Sequence, residues 1–149
     1  MNKKTQKDPL TEIFGEPISV YTRAQALEDG CLVDVTETAQ EAGFQAPVAL
    51  TKAAWERYIA VPKELEGVQD EPGRLWDALF MLGIAIQRKP KTPVLLYQVT
   101  FQMPDRDWHP RWEHPTDGQR ELRTVTLKSV CGPGDHAEPV ITIMLPEED

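Results

Sequence analysis

LWDALFMLGIAI, residues 75–86, is the stretch that decides the fold. Leu75, Leu79, Leu82 and Ile86 recur at helical spacing and make one stripe, while Trp76, Phe80, Met81 and Ile84 widen it over most of the circumference. Such a helix is expected to be buried on nearly all sides. Asp70 and Pro72 mark its start, Arg88 and Lys89 complement the dipole at its end, and Pro90 forbids continuation.

Beyond Pro93 the period drops to two. Leu95, Tyr97, Val99, Phe101 and Met103 point one way and Gln98, Thr100 and Gln102 the other, which predicts a strand with one wet face. Residues 121–131 repeat the pattern, residues 140–145 supply another strand, and Gly132, Pro133, Gly134 and Asp135 make the turn between them. The expected fold is α+β, an antiparallel C-terminal meander packed against the central helix.

Upstream the elements are short. Thr22 followed by Gln25 has the form of a capping box for a helix over 23–29 that Gly30 ends. A strand is predicted over 31–35, a helix from Thr36 to a stop at Gly43, and a helix capped by Thr51 with Trp55, Tyr58 and Ile59 on its core face. Residues 1–12, rich in Lys with little to bury, read as a flexible tail, and 13–149 as a single domain.

The chain has 149 residues, enough to bury about 68–70% of the surface its unfolded form exposes. With 24 acidic against 16 basic residues its net charge is −8, which opposes binding to nucleic acid or anionic membrane and permits a basic protein partner. The N-terminus has no apolar run behind its lysines, and residues 78–86 are too few to span a bilayer, so a cytoplasmic location is expected. Cys31 and Cys131 form no CxxC pair and read as reduced, packed thiols. Neither a nucleophile beside a base nor a glycine-rich phosphate loop is written here, and no cofactor or metal is expected. His109, His114, His136 and Cys131 match no zinc spacing.

The connection 104–118 is longer than a hairpin needs and holds Asp105, Asp107, Trp108, His109, Trp112 and His114. Two Trp in one loop are either a cover for the end of the core or interface anchors, and these residues are the candidate binding set. Tyr21 and Arg23, beside Glu28 and Asp29 at a helix start, are a second candidate, for an anion. Its structural alternative is a capped helix whose Arg23 pairs locally.

Residues 13–15 (IFG), 21–35 (YTRAQALEDGCLVDV), 42–44 (AGF), 47–51 (PVALT), 75–86 and the closing 131–135 (CGPGD) together resemble domain-of-unknown-function family 6573. The resemblance implies a setting, the plasmids, integrating elements and phages of bacteria, and assigns no catalytic residue. A small accessory protein of a mobile element is then expected. It would act by protein binding, as an inhibitor of a host defence system of the anti-CRISPR or anti-restriction type or as a regulator of transfer and replication. The competing expectation is an enzyme whose site assembles from Arg23, Asp34 and the loop bearing His109 and His114.

Overall fold

A computed structural model describes residues 21–104, 108–116 and 119–149. The tail, the start of order at Ile13 and Phe14, and Asp105 and Asp107 lie outside them.

The N-terminal signals act as the residue chemistry demands. Thr22 and Gln25 close a reciprocal capping box on α1 (Arg23–Asp29), and Gly30 ends it in the left-handed region at φ 82°. Strand β1 (Leu32–Asp34) and helix α2 (Thr36–Glu41) follow. The Asp34 carboxylate takes the Thr36 amide at 3.1 Å and its hydroxyl at 2.6 Å. Strand β2 (Val48–Thr51) then leads into α3 (Lys52–Ala54), where the Thr51 hydroxyl accepts from the Ala54 amide. Residues Trp55–Ile59 continue α3 as a π turn that turns Tyr58 and Ile59 into the core.

The long helix α4 (Glu71–Arg88) starts at Asp70, whose carboxylate accepts from the Gly73 amide at 2.8 Å. It buries one stripe: Arg74, Leu75, Ala78, Leu79 and Leu82. The expectation of burial on nearly all sides is therefore corrected, because Trp76, Phe80 and Met81 are exposed. The sheet lies against a single side of the helix, so the extra apolar residues face outward.

Strand β3 (Val94–Gln102) alternates as its period requires, with Leu95, Tyr97, Val99 and Phe101 buried. Strands β4 (Glu113–Thr116), β5 (Gln119–Pro133) and β6 (Pro139–Met144) complete a six-stranded sheet, ordered β1-β2-β6-β5-β3. Short β4 pairs with Arg123–Val125 of β5 on the edge opposite β3, end to end with β6. The β3, β5 and β6 pairings are antiparallel, as the meander predicts. However, β2 pairs with β6 in parallel, so the sheet is mixed and enlists N-terminal strands as well.

The core fills the space between one sheet face, α4 and the π turn. Leu50, Ile143, Leu127 and Val125 meet Leu79, Leu82, Tyr58 and Ile59 there. Burying a side chain of this size contributes about 1.5–3 kcal/mol. Both cysteines are free and exposed rather than packed, since Cys31 lies just beyond the helix stop and Cys131 near the β5–β6 turn. Among the described residues no helix is long and apolar enough to cross a membrane.

Candidate functional site

The loop that leaves β3 is held at both ends by buried polar groups. At its exit Arg74, 2% exposed, reaches from α4 to three partners. Its Nε donates to Gln69 Oε1 at 2.8 Å, one terminal nitrogen to the Tyr58 carbonyl at 2.7 Å, and the other to the Gln102 carbonyl. The guanidinium also lies 5.4 Å from the Phe101 ring centre, and burial pulls its pKa below the usual arginine range. A buried arginine is tolerated because carbonyls absorb its donors.

At the return, Glu113 begins β4 with its side chain fully buried. The Tyr58 hydroxyl donates to Glu113 Oε2, and the Trp112 indole N–H donates to the Tyr58 oxygen at 2.6 Å. His109 Nδ1 stands 3.4 Å and Arg123 Nε 3.9 Å from Glu113 Oε1. The Tyr58 ring stacks on Phe101, centres 5.7 Å apart and planes 7° from parallel. Burial first, and the Glu113 carboxylate second, raise the Tyr58 pKa well above the phenol range, so its proton stays in place. Such a network fixes side-chain directions and ties His109, Trp112 and Glu113 to the sheet and the π turn.

Trp108 faces the other way. It is 64% exposed, and the Arg57 guanidinium sits 5.2 Å from its ring centre, a cation–π brace supplied by the π turn. His114 and Arg111 are also exposed, and Arg111 pairs with Glu147 at 3.3 Å. Of the sequence-predicted residues, then, His109 and Trp112 point into the Glu113 network, while Trp108 and His114 lie at the surface. Asp105 and Asp107 fall outside the described residues.

Tyr21 and Arg23 form a separate place. The Tyr21 hydroxyl is 3.4 Å from Cys31 Sγ and 2.7 Å from Asp29 Oδ2, contacts that hold it above the phenol range, the thiol first. Arg23 does not pair locally: it donates to Thr142 Oγ1 at 2.7 Å and to the Ile141 carbonyl at 3.0 Å, on β6. Burial lowers its pKa, opposed by the charges of Asp34, Asp135 and Glu138. The start of α1 already holds an anion, the Asp135 carboxylate, which accepts from the Arg23 and Ala24 amides at 2.8 and 2.9 Å.

Arg23 and Asp34 are thus neighbours, but His109 is not with them. Arg23 meets β6 beside Val130 and Cys131, whereas Glu113 and His109 meet β5 at Val125. Five or more residues of strand separate the two places, roughly 17 Å. Among the described residues no three His, Cys, Asp or Glu side chains gather as a metal set.

Sequence reasoning missed Tyr58, Arg57, Arg74, Glu113 and Arg123 as parts of the site. Arg74 carried a usable signal, since it lies four residues before Ala78 on the core stripe, where a cation must find carbonyls. No family model matches the chain, and neither curated proteins nor solved structures give a match.

Proposed function

We propose that this chain acts by binding a protein partner through the face that Trp108 presents. In this reading it is a small accessory protein of a mobile genetic element that blocks a host defence complex of the anti-CRISPR or anti-restriction type. The observation that carries the binding reading is the Trp108 ring, mostly exposed yet braced by Arg57. A large aromatic at the surface is worth holding rigid when it enters a partner's pocket, because little freedom is then lost on binding. The Tyr58–Trp112–Glu113 chain supports the reading by anchoring Trp112 and Glu113, a few residues beyond the ring. The mobile-element setting rests on the sequence resemblance, and the net charge of −8 favours a protein over a nucleic acid as partner.

Affinity capture from a native host, read by mass spectrometry, tests this together with thermal melts. Trp108→Ala is expected to leave the melt nearly unchanged and to weaken the captured complex by about 2 kcal/mol or more. Trp112→Ala is expected to lower the melting temperature, because it removes the N–H that donates to the Tyr58 oxygen and a ring packed against the core. If both substitutions destabilise the protein while capture persists, the loop is only a lid on the core. The absence of any stoichiometric partner would return weight to an enzymatic reading.

A further inference from the structure

Strand β3 closes one side of the sheet, and among the described residues no strand pairs with its outer edge. The Cys131 amide donates to the Pro93 carbonyl, which sets the phase of the ladder. In an antiparallel pair bonded and non-bonded positions alternate, so Leu95, Tyr97, Val99 and Phe101 bond β5. The amides and carbonyls of Val94, Leu96, Gln98 and Thr100 therefore point away from the sheet. Among the described residues the edge is closed only at Gln102, by Arg74.

Protein edges are normally blunted by charge, proline or a bulge. This one has none of them: Val94–Gln102 reads VLLYQVTFQ, and its register with β5 is unbroken. Two of its outward residues are apolar and exposed, Val94 at 51% and Leu96 at 61%.

Beside the edge runs a stripe of α4: Asp77, Phe80, Met81, Ile84 and Arg88, spaced i, i+3, i+4, i+7 and i+11. Eleven residues advance a helix about 16 Å and return it to within about 20° of the same direction. The stripe is therefore acidic at one end, apolar in the middle and basic at the other. It lines two adjoining grooves along β3. One, of about 410 Å³, joins Asp77, Phe80 and Met81 to Gln98, Val99 and Thr100. The other, of about 800 Å³, joins Met81, Ile84 and Arg88 to Val94, Leu96 and Gln98. Helix and strand run in opposite directions, with Arg88 near Val94 and Asp77 near Thr100.

We propose that a second copy of this chain occupies this edge, the two β3 strands pairing antiparallel about a two-fold axis near Tyr97. Two-fold association requires a patch complementary to itself. Here it is: Val94 faces Thr100 of the other copy, Leu96 faces its Gln98, and the Arg88 end of each stripe meets the Asp77 end of the other. The pairing continues the sheet across the dimer and uses only residues of β3 and α4. It depends on no property of the Trp108 loop.

Sedimentation equilibrium of the full chain under reducing conditions tests the proposal. A dimer of twice the chain mass is expected. Leu96→Lys should make it monomeric with the far-UV spectrum retained, since that side chain is solvent-exposed. Gln98→Pro should do the same, because the amide it removes points off the edge and bonds nothing within the sheet. Arg88→Glu should weaken association at least tenfold, and Asp77→Arg added to it should restore association. A chain that stays monomeric up to about 1 mM overturns the proposal. So does a dimer indifferent to both Leu96→Lys and Gln98→Pro, or a charge swap that fails to restore what the single change removed. Trp108→Ala should leave the dimer intact.

Discussion

Asp135 reaches the start of α1 from 111 residues away in sequence and takes both the Arg23 and Ala24 amides. Those bonds, Ala24 first, hold its carboxyl below the ordinary carboxylate range. A lowered folded-state pKa means that the carboxylate's contribution to stability is present above the unfolded value, about 3.9, and is lost as pH falls through the folded one. Asp135→Asn is therefore expected to unfold at lower urea than the parent at neutral pH. The difference should close below about pH 4. Urea midpoints across that range check this, and a gap that persists unchanged at low pH would mean the carboxylate's charge is not its cause. Nothing in the local sequence marks Asp135 as a helix cap, whereas Thr22 and Gln25 announce themselves by spacing. Site legibility followed the same division. Trp108 and Trp112 drew attention as two Trp in one loop, while Tyr58 and Arg123, brought to Glu113 only by the fold, did not.

At the scale of the element, α4 shows what periodicity can and cannot say. Its start at Asp70 and its end near Lys89 were legible because caps and breakers act locally. Its surroundings were not. A surplus of apolar residues is the same signal whether a second layer covers the helix or solvent does, and here Phe80 is 54% exposed while Leu79 is wholly buried. Adjacent residues therefore separate the two faces. Leu79→Ala should cost about 2–5 kcal/mol, and Phe80→Ala should stay within about 0.5 kcal/mol at concentrations where the chain is monomeric. Chemical denaturation of the two variants measures both; equal losses would mean that the outward face is packed after all. Strand β2 escaped notice for a related reason. VALT is short, its first three residues are apolar and buried in succession, and such a run lacks the alternation that reveals a strand with one wet face. Strand β4 was hidden inside what read as one long loop.

At the scale of the molecule, the pairing of β6 with both β2 and β5 joins the two halves of the chain. A meander alone would place β6 at an edge, with the N-terminal elements added as a separate layer. Instead Val48, Ala49 and Leu50 align with Ile141, Thr142 and Ile143, so among the described residues β1 and β2 join the rest of the sheet through β6. Such pairing brings together residues distant in sequence, and its loop-closure cost is recovered only when the whole sheet forms. Unfolding should accordingly be one cooperative event. Ile143 lies wholly buried where those strands meet the core, and Ile143→Ala should lower stability by about 2–5 kcal/mol. The loss should appear equally in far-UV dichroism, which reports helices from both halves, and in tryptophan fluorescence, to which Trp55, Trp76, Trp108 and Trp112 all contribute. At a fixed protein concentration the two transitions of parent and variant should coincide. Transitions that separate in the variant would show that β1 and β2, with the helices beside them, hold together without β6, and that the strand joins two units rather than completing one.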